Sequence, residues 1–279
     1  MRGNPGSVAL LCILALSLLA ASVTGAQHRE RADRPEERPG REHFQLKIGA
    51  GYDQGDFGTS DTTRSVYVPI TLRYLGERFE VGMTASLVYL DTESSVVVVD
   101  GLPVPAERRR RTEEAGIGDL IFRARYYALD DAGPDSLIPA LTPFVKLKAP
   151  TADESKGFGT GEWDGGFGLE FDKRFREFFV LGDVGYTFMG DPPDEDFRDR
   201  PGASLGIGRY FTPDLALMAL LDWRRSLVRG QDDSLDLVGI AQIKLAPTLT
   251  VSPYTFVGLT NGSPDFGVGA ELSWRFGRY

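Results

Sequence analysis

Charged side chains recur at every second position over much of the chain, and they are the residues best suited to chemistry. Arg123 and Arg125 lie two residues apart, as do Lys146 and Lys148. Side chains in a β-strand alternate between its two faces, so each pair shares one face. A closed sheet that turned such charges inward would enclose a watery, ion-selective path. The candidate pore-lining residues are Arg123, Arg125, Lys146, Lys148, Asp164, Glu170, Asp183, Asp222, Arg224 and Lys244.

One segment matches an enzymatic motif. Residues 202–206 (GASLG) fit the nucleophile elbow of serine hydrolases, which needs a strand, a turn, a helix and a later His. The only histidines are His28 and His43, and both precede Ser204. No imidazole is therefore placed to activate that hydroxyl, and small residues along a strand are the favoured interpretation. The sequence predicts that the protein is not an enzyme and has no catalytic residue.

Two segments, one rich in Gly and one acidic, contain residue types that can bind ligands. Residues 157–161 (GFGTG) lack the Lys and the following helix of a phosphate loop, so we expect a plain outer loop and no cofactor. A cluster of acidic residues could ligate a divalent cation, but a solvated surface run is favoured, and no metal site is predicted. The cluster consists of Asp191, Asp194, Glu195, Asp196 and Asp199.

The longest predicted loop carries two further features. Four consecutive arginines at residues 108–111 could pair with lipopolysaccharide phosphates, fold inward to narrow a pore, or form a mobile charged tip. The run Val96–Val99, followed by Asp100 and Gly101, predicts a small hairpin that extends this loop beyond the membrane.

The elements that carry these residues are β-strands, because the apolar period is two along nearly the whole chain. Each segment approaches the roughly nine to eleven residues that a tilted strand needs to cross a bilayer. Connections alternate between short and long, as they do in outer-membrane barrels. The predicted fold is an all-β, antiparallel transmembrane barrel of about twelve strands with short periplasmic turns and longer extracellular loops. The strands are predicted at 44–52, 66–74, 79–89, 118–126, 141–149, 163–171, 178–188, 203–211, 215–223, 235–245, 249–259 and 266–276.

The first 42 residues differ from the rest. Residues 1–26 contain Arg2, an apolar run and a small-residue end, which predicts a signal peptide for Sec-type export. Residues 27–42 are mostly charged residues, Pro and Gly, and predict a flexible periplasmic lead, while residues 43–279 form the barrel. Cys12 is the only cysteine, so the mature chain could form no disulfide. Its 30 basic and 40 acidic residues argue against nucleic acid as a partner.

A soluble β-sandwich or lipocalin-like barrel would also alternate apolar and polar residues. The apolar faces, however, end in aromatic side chains, where amphipathic rings would meet the two headgroup zones of a membrane. We therefore expect the bacterial outer membrane as the location, with outer-membrane lipid and lipopolysaccharide as surroundings. The aromatic residues are Tyr52, Tyr74, Tyr89, Tyr126, Trp163, Phe188, Trp223, Trp274 and Phe276.

The chain resembles a family of outer-membrane proteins labelled as phenol-degradation (MetA-pathway) transporters. The resemblance covers most of the mature chain and is carried by GIGDL at 116–120, FVKLKAPT at 144–151 and GTG at 159–161. The last strand, which ends in Trp274, Arg275 and Phe276, is similar to the terminal signal that the barrel-assembly machinery recognises. The resemblance implies uptake of small aromatic or apolar compounds.

The predicted function is an outer-membrane channel for passive diffusion of small solutes, and the alternative is a structural or adhesive barrel without an open pore. About twelve strands predict a narrow, watery lumen. The basic pairs on two strands and Asp164, Glu170 and Asp183 on the next two would form opposed ladders. Their transverse field would favour polar or zwitterionic solutes and exclude bulky apolar ones, and the four basic residues would give anion preference. If these charges instead pair fully across the lumen, the barrel is plugged and structural.

Overall fold

A computed structural model describes residues 43–57, 61–92, 96–99, 102–105, 112–192 and 196–277, and most of these residues lie in β-strands. The predicted signal peptide, the predicted lead and the four arginines at 108–111 lie outside the described residues. The strands are β1 (His43–Gly55), β2 (Thr63–Leu75), β3 (Phe79–Thr92), β4 (Val96–Val99), β5 (Leu102–Pro105), β6 (Thr112–Ile117), β7 (Leu120–Tyr126), β8 (Ala140–Ala149), β9 (Asp164–Phe175), β10 (Phe178–Phe188), β11 (Arg200–Thr212), β12 (Leu215–Arg224), β13 (Ser234–Ala246), β14 (Leu249–Gly258) and β15 (Phe266–Gly277).

The sheet closes into an antiparallel barrel with twelve wall strands. Strands β1 and β15 pair from His43 opposite Gly277 to Gln54 opposite Phe266, and this pairing joins the first wall strand to the last. Strands β6 and β7 both pair with β3. Strand β6 pairs with residues 87–92 and β7 pairs with residues 79–84, so together they make one wall strand. The β4–β5 hairpin is a separate two-stranded sheet. The predicted fold class and strand number are confirmed.

Strand ends differ from the sequence prediction mainly on the side of the long loops. β1 continues to Gly55 and β2 begins at Thr63, three residues beyond the predicted boundaries at each side, and these two residues are paired. Likewise, the fourth wall strand begins at Thr112 instead of Gly118. Beyond the lipid region the outer face need not be apolar, so the alternating signal ends before the strand pairing does.

The outer face of the barrel is apolar. Ile48 and Leu72 are each 44% exposed, whereas their neighbours Lys47 and Arg73 are each 4% exposed. A soluble barrel would bury the first pair in its core and expose the second. The exposed apolar band and the barrel fold place the protein in the outer membrane, where lipid covers these side chains.

Aromatic rings cluster at the rim of the barrel that carries the short turns. The ring of Phe44 lies 5.5 Å from that of Tyr74 and 5.9 Å from that of Phe276, and the Trp274 and Phe276 rings are 5.0 Å apart. Rings at this level sit at the boundary between hydrocarbon and headgroups. Among the described residues the only helix is the single 3-10 turn Glu154–Lys156, and no helix could cross a membrane.

Glycines on the inner face allow aromatic rings to lie flat against the barrel wall. A Cβ built on Gly269 would come 1.7 Å from Cζ of Tyr254, on the neighbouring strand β14. We expect Gly269→Ala to lower the free energy of unfolding by about 1–3 kcal/mol, because the buried Tyr254 ring would have to leave its position.

The matched control for this change is Gly239→Ala, since the nearest atom to a Cβ at Gly239 is 3.9 Å away. Urea titrations of the two variants, refolded in lipid vesicles and followed by tryptophan fluorescence, would measure the difference. Equal stability of the two variants would show that the Tyr254 ring does not require the glycine.

Candidate functional site

The candidate pore-lining residues occupy inward-facing positions of the wall strands β7, β8, β9, β10, β12 and β13, which form one arc of the barrel. Six of them are buried, and Arg123, Lys146 and Arg224 are half-buried. Lys244 lies in the same face of β13 but is exposed at the end near the short turns. The buried six are Arg125, Lys148, Asp164, Glu170, Asp183 and Asp222.

Lys148 is paired with carboxylates on both sides. Its Nζ lies 2.9 Å from Asp164 Oδ2 and 3.1 Å from Asp119 Oδ2, and it donates a 2.7 Å hydrogen bond to Thr160 Oγ1. Asp119 Oδ1 in turn accepts the backbone N–H groups of Thr151 and Ala152 at 2.9 and 3.0 Å. This cluster therefore fixes the β8–β9 loop to the wall, and its charges compensate one another locally.

A second ion network connects four strands of the inner face. Arg125 Nε donates to Glu170 Oε1 at 3.0 Å, and its Nη1 contacts Glu80 Oε1. Glu80 also pairs with Arg73 and accepts a 3.0 Å hydrogen bond from the Tyr127 hydroxyl. The residues of the predicted basic ladder lie on β7 and β8 and those of the acidic ladder on β9 and β10, and direct ion pairs join the two groups.

The strand register explains these ion pairs. Lys148 lies directly opposite Asp164 in the β8–β9 pair, and Glu80 lies directly opposite Arg125 in the β3–β7 pair. Opposite charges at facing positions attract, and buried charges need such partners. The sequence showed the alternation along each strand but not the register between strands.

One part of the lumen is apolar, which corrects the expectation of a watery interior. Inward-facing residues of β10, β12, β13 and β14 pack together, and Leu181 and Leu220 are each 1% exposed. We call this group the lumenal apolar cluster; it consists of Phe179, Leu181, Ala216, Met218, Leu220, Val238, Ile240, Tyr254 and Phe256. The sequence of β12 indicates this apolar inner face, because residues 215–221 are apolar at every position.

The predicted hairpin forms from Val96–Val99 and Leu102–Pro105, but it does not extend outward. Val96 and Val98 pack against Tyr67, Val88 and Leu90, which are inward-facing residues of the wall. On its other side, the hairpin contacts the loops after β10 and β12. Val97, Val99 and Val104 cluster there with Met189, Phe197 and Leu227.

The hairpin is thus buried on both faces within the mouth of the barrel, and all four valines of β4 are at most 9% exposed. The backbone N–H of Val98 also donates a 2.8 Å hydrogen bond to the carbonyl of Gly157 in the β8–β9 loop. Burial of an apolar hairpin against an apolar part of the mouth is favourable because it removes that surface from water. We call this hairpin the mouth plug.

Two cavities lie below and beside the mouth plug. The smaller, of about 40 Å³, is lined by residues that include Val104, Leu227, Asp236 and Arg200. The larger, of about 90 Å³, is lined by Arg123, Phe144, Lys146, Asp183, Asp222 and Arg224, and again by Arg200. Arg200 therefore lies between the two cavities. The predicted strand began only at residue 203, which placed Arg200 in an outer loop, whereas β11 begins at Arg200.

The structure shows where most of the residues that were considered for catalytic or metal sites lie. Ser204 lies in the middle of strand β11, not on a turn, and its hydroxyl donates to Asp183. Within the described ranges, no group of three or more His, Cys, Asp or Glu side chains is placed to hold a metal ion. Asp194 and Glu195 of the acidic cluster lie outside those ranges.

Comparison with known families and curated proteins gives one match. A family described as "MetA-pathway of phenol degradation" matches residues 50–276, which is most of the chain. No curated protein matches.

Solved structures with the same architecture are outer-membrane barrels. The COG4313 outer membrane channel from Pseudomonas putida F1 superposes with a TM-score of 0.64 at 15% identity, over 87% of this chain and 98% of that one. The translocator domain of the autotransporter NalP from Neisseria meningitidis has a TM-score of 0.51 at 12% identity, over 91% and 95% of the two chains. At these identities the likeness shows a shared fold.

Proposed function

The chain belongs to the family described as the MetA pathway of phenol degradation. From this premise we propose that it is an outer-membrane channel for passive diffusion of small solutes. The observation that carries the proposal is the mixed character of the lumen. Charged residues and cavities occupy the part next to the mouth, and the lumenal apolar cluster occupies the wall of β10–β14. A narrow passage of this kind suits small solutes with one polar group on an aromatic or apolar body.

The comparisons agree with this function. The protein from Pseudomonas putida F1 that shares this fold is an outer membrane channel. The pore-lining candidates support the proposal by their positions, since nine of the ten are buried or half-buried on the inner face. We propose no enzymatic activity, because Ser204 lies within strand β11 with its hydroxyl donating to Asp183, and both histidines of the sequence precede it.

The remaining parts of the proposal concern export and assembly. Residues 1–26 would direct Sec-type export and be removed, and the terminal strand β15 would be recognised by the barrel-assembly machinery. Lipopolysaccharide would surround the outer half of the barrel. Mass spectrometry of the mature N-terminus would test the cleavage before Gln27.

A second candidate function is a structural or adhesive barrel without an open pore. The mouth plug and the lumenal apolar cluster favour it, because both fill space that a solute would need. The two candidates differ in one measurable property, which is whether the folded protein lets solutes cross a bilayer.

A liposome-swelling assay measures this property directly. We expect vesicles that contain the protein to swell faster than empty vesicles in isotonic solutions of small solutes, and the rate to fall steeply with solute size because the lumen is narrow. Vesicles with the heat-unfolded protein serve as the control. Swelling equal to that of empty vesicles for every solute would exclude the channel and leave the structural barrel.

A further inference from the structure

The larger cavity carries an excess of positive charge. Four basic side chains line it and only two carboxylates do, which gives a formal charge of two positive units. The carboxylates are already engaged within the wall: Asp222 pairs with Arg224 at 2.5 Å, and Asp183 accepts the Ser204 hydroxyl. The basic side chains are Arg123, Lys146, Arg200 and Arg224.

Two of these cations face each other. Arg123 lies directly opposite Lys146 in the β7–β8 pair, and like charges at facing positions repel. The nearest acid to Arg123 is Glu170, at 3.6 Å from Nη1, and Glu170 also accepts a shorter bond from Arg125. In this network two carboxylates, Glu80 and Glu170, therefore serve three guanidiniums, those of Arg73, Arg123 and Arg125. Nη1 of Arg123 is buried and makes no hydrogen bond with any described residue.

The smaller cavity, on the other side of Arg200, has a formally neutral lining. Asp232 and Asp236 line it together with Arg200 and Arg225. The larger cavity therefore remains the more positive of the two, and a mobile anion that enters from the mouth would meet Arg200 first.

Apolar groups lie next to the cations. The guanidinium of Arg123 stacks 4.2 Å from the centre of the Phe144 ring, which also lines the cavity. One step further down the inner face, Asp183 and Asp222 are followed by Leu181 and Leu220 of the lumenal apolar cluster. The cavity thus has a cationic wall and an apolar side, which together suit an organic anion better than a bare inorganic one.

The free volume limits the size of the ligand. At about 90 Å³ the cavity is smaller than the roughly 150 Å³ cavity that holds benzene in a protein core. A carboxylate with a short apolar tail fits this space. The guanidinium of an arginine can donate two parallel hydrogen bonds to the two oxygens of a carboxylate, and a lysine ammonium supplies a further donor.

We propose that the larger cavity is a binding site for small monocarboxylates, with the carboxylate held by Arg123, Lys146 and Arg200 and the tail directed to Phe144. This inference names the solute class of the proposed channel. Its transport consequence rests on that proposal, whereas binding itself does not require an open pore.

Acetate binding to the full mature chain in detergent tests the site. Saturation-transfer NMR with acetate is expected to show binding that acetamide, its neutral analogue, does not displace. Lys146→Gln should weaken acetate binding by roughly fivefold, since it removes one of several charges at a partly solvated site. The matched control is Lys156→Gln in the exposed β8–β9 loop, which should leave the affinity unchanged.

Each outcome separates the site from the channel. No acetate binding by the unmodified protein, or equal weakening by both lysine variants, would overturn the proposed site. Stronger binding of inorganic phosphate than of acetate would overturn the ligand class. Acetate binding without any vesicle swelling would support the site and refute the channel, and swelling without acetate binding would do the reverse. Unaltered migration of unheated samples in SDS gels would confirm that each variant is folded.

Discussion

Deletion of residues 96–105, with a short Gly–Ser link in their place, is expected to raise single-channel conductance in planar bilayers by roughly threefold or more, because the hairpin that fills the mouth is removed. The mouth plug lies between the wall residues Tyr67 and Val88 on one side and Leu227 on the other. Without it, the smaller cavity, which Pro103 and Val104 line, would open to the outside. Liposome-swelling rates for small sugars should rise in parallel.

A point substitution gives the same test with the loop length intact. Val99 is fully buried, and Val99→Asp would place an unpaired carboxylate among apolar side chains, so the plug should leave the mouth. Val99→Ala keeps the site apolar and is the matched control, with conductance close to that of the unmodified protein. Unchanged conductance in both the deletion and Val99→Asp would mean that the mouth plug does not limit flow.

The wall of the barrel was predictable because lipid imposes a strict rule on it. Every second residue must be apolar on the outer face, so Ile48 and Lys47 on β1 could be assigned to opposite faces from the sequence. The rule holds only within the hydrocarbon layer. It gives no information beyond it, which is why the paired strand ends at Gly55 and Thr63 were missed.

The contents of the lumen follow no such rule. Near the short turns, the wall strands β10 and β12 are apolar on both faces. Their outward residues meet the lipid, while their inward residues form the lumenal apolar cluster. In the same way, Val96–Val99 predicted a strand, but its burial depends on Met189 and Leu227, which lie far along the chain. Contacts between distant loops are a property of the folded barrel and have no local pattern in the sequence.

For the candidate charged residues, the sequence predicted the orientation of the side chains but not their ion-pair partners. Their inward orientation could be assigned from alternation, but their partners depend on register, which shifts with the length of every turn. Arg123 faces another cation while Lys148 faces an acid, although both were assigned to one basic ladder. The structure thus divides the predicted ladder into neutralised pairs that brace the wall and a smaller cationic group at the cavity.

Glu80→Gln is expected to lower the free energy of unfolding by about 3–5 kcal/mol, because it leaves buried guanidiniums without their counter-charge. Arg73 and Arg125 both pair with Glu80, and the side chains of all three are at most 6% exposed. Only Glu170 would then remain near Arg125. Urea titration in lipid vesicles, followed by the fluorescence of the three tryptophans, measures the change.

An exposed ion pair supplies the matched control for this carboxylate-to-amide change. Asp130 pairs with Arg78 at 2.9 Å, but their side chains are 69% and 56% exposed. Solvent screens such a pair, so Asp130→Asn should cost less than about 1 kcal/mol. The double variant Arg73→Gln with Glu80→Gln should recover part of the lost stability, since it removes one of the uncompensated charges. Equal effects of Glu80→Gln and Asp130→Asn would mean that water reaches the inner network, and the charges of the lumen would then be solvated instead of bracing the wall.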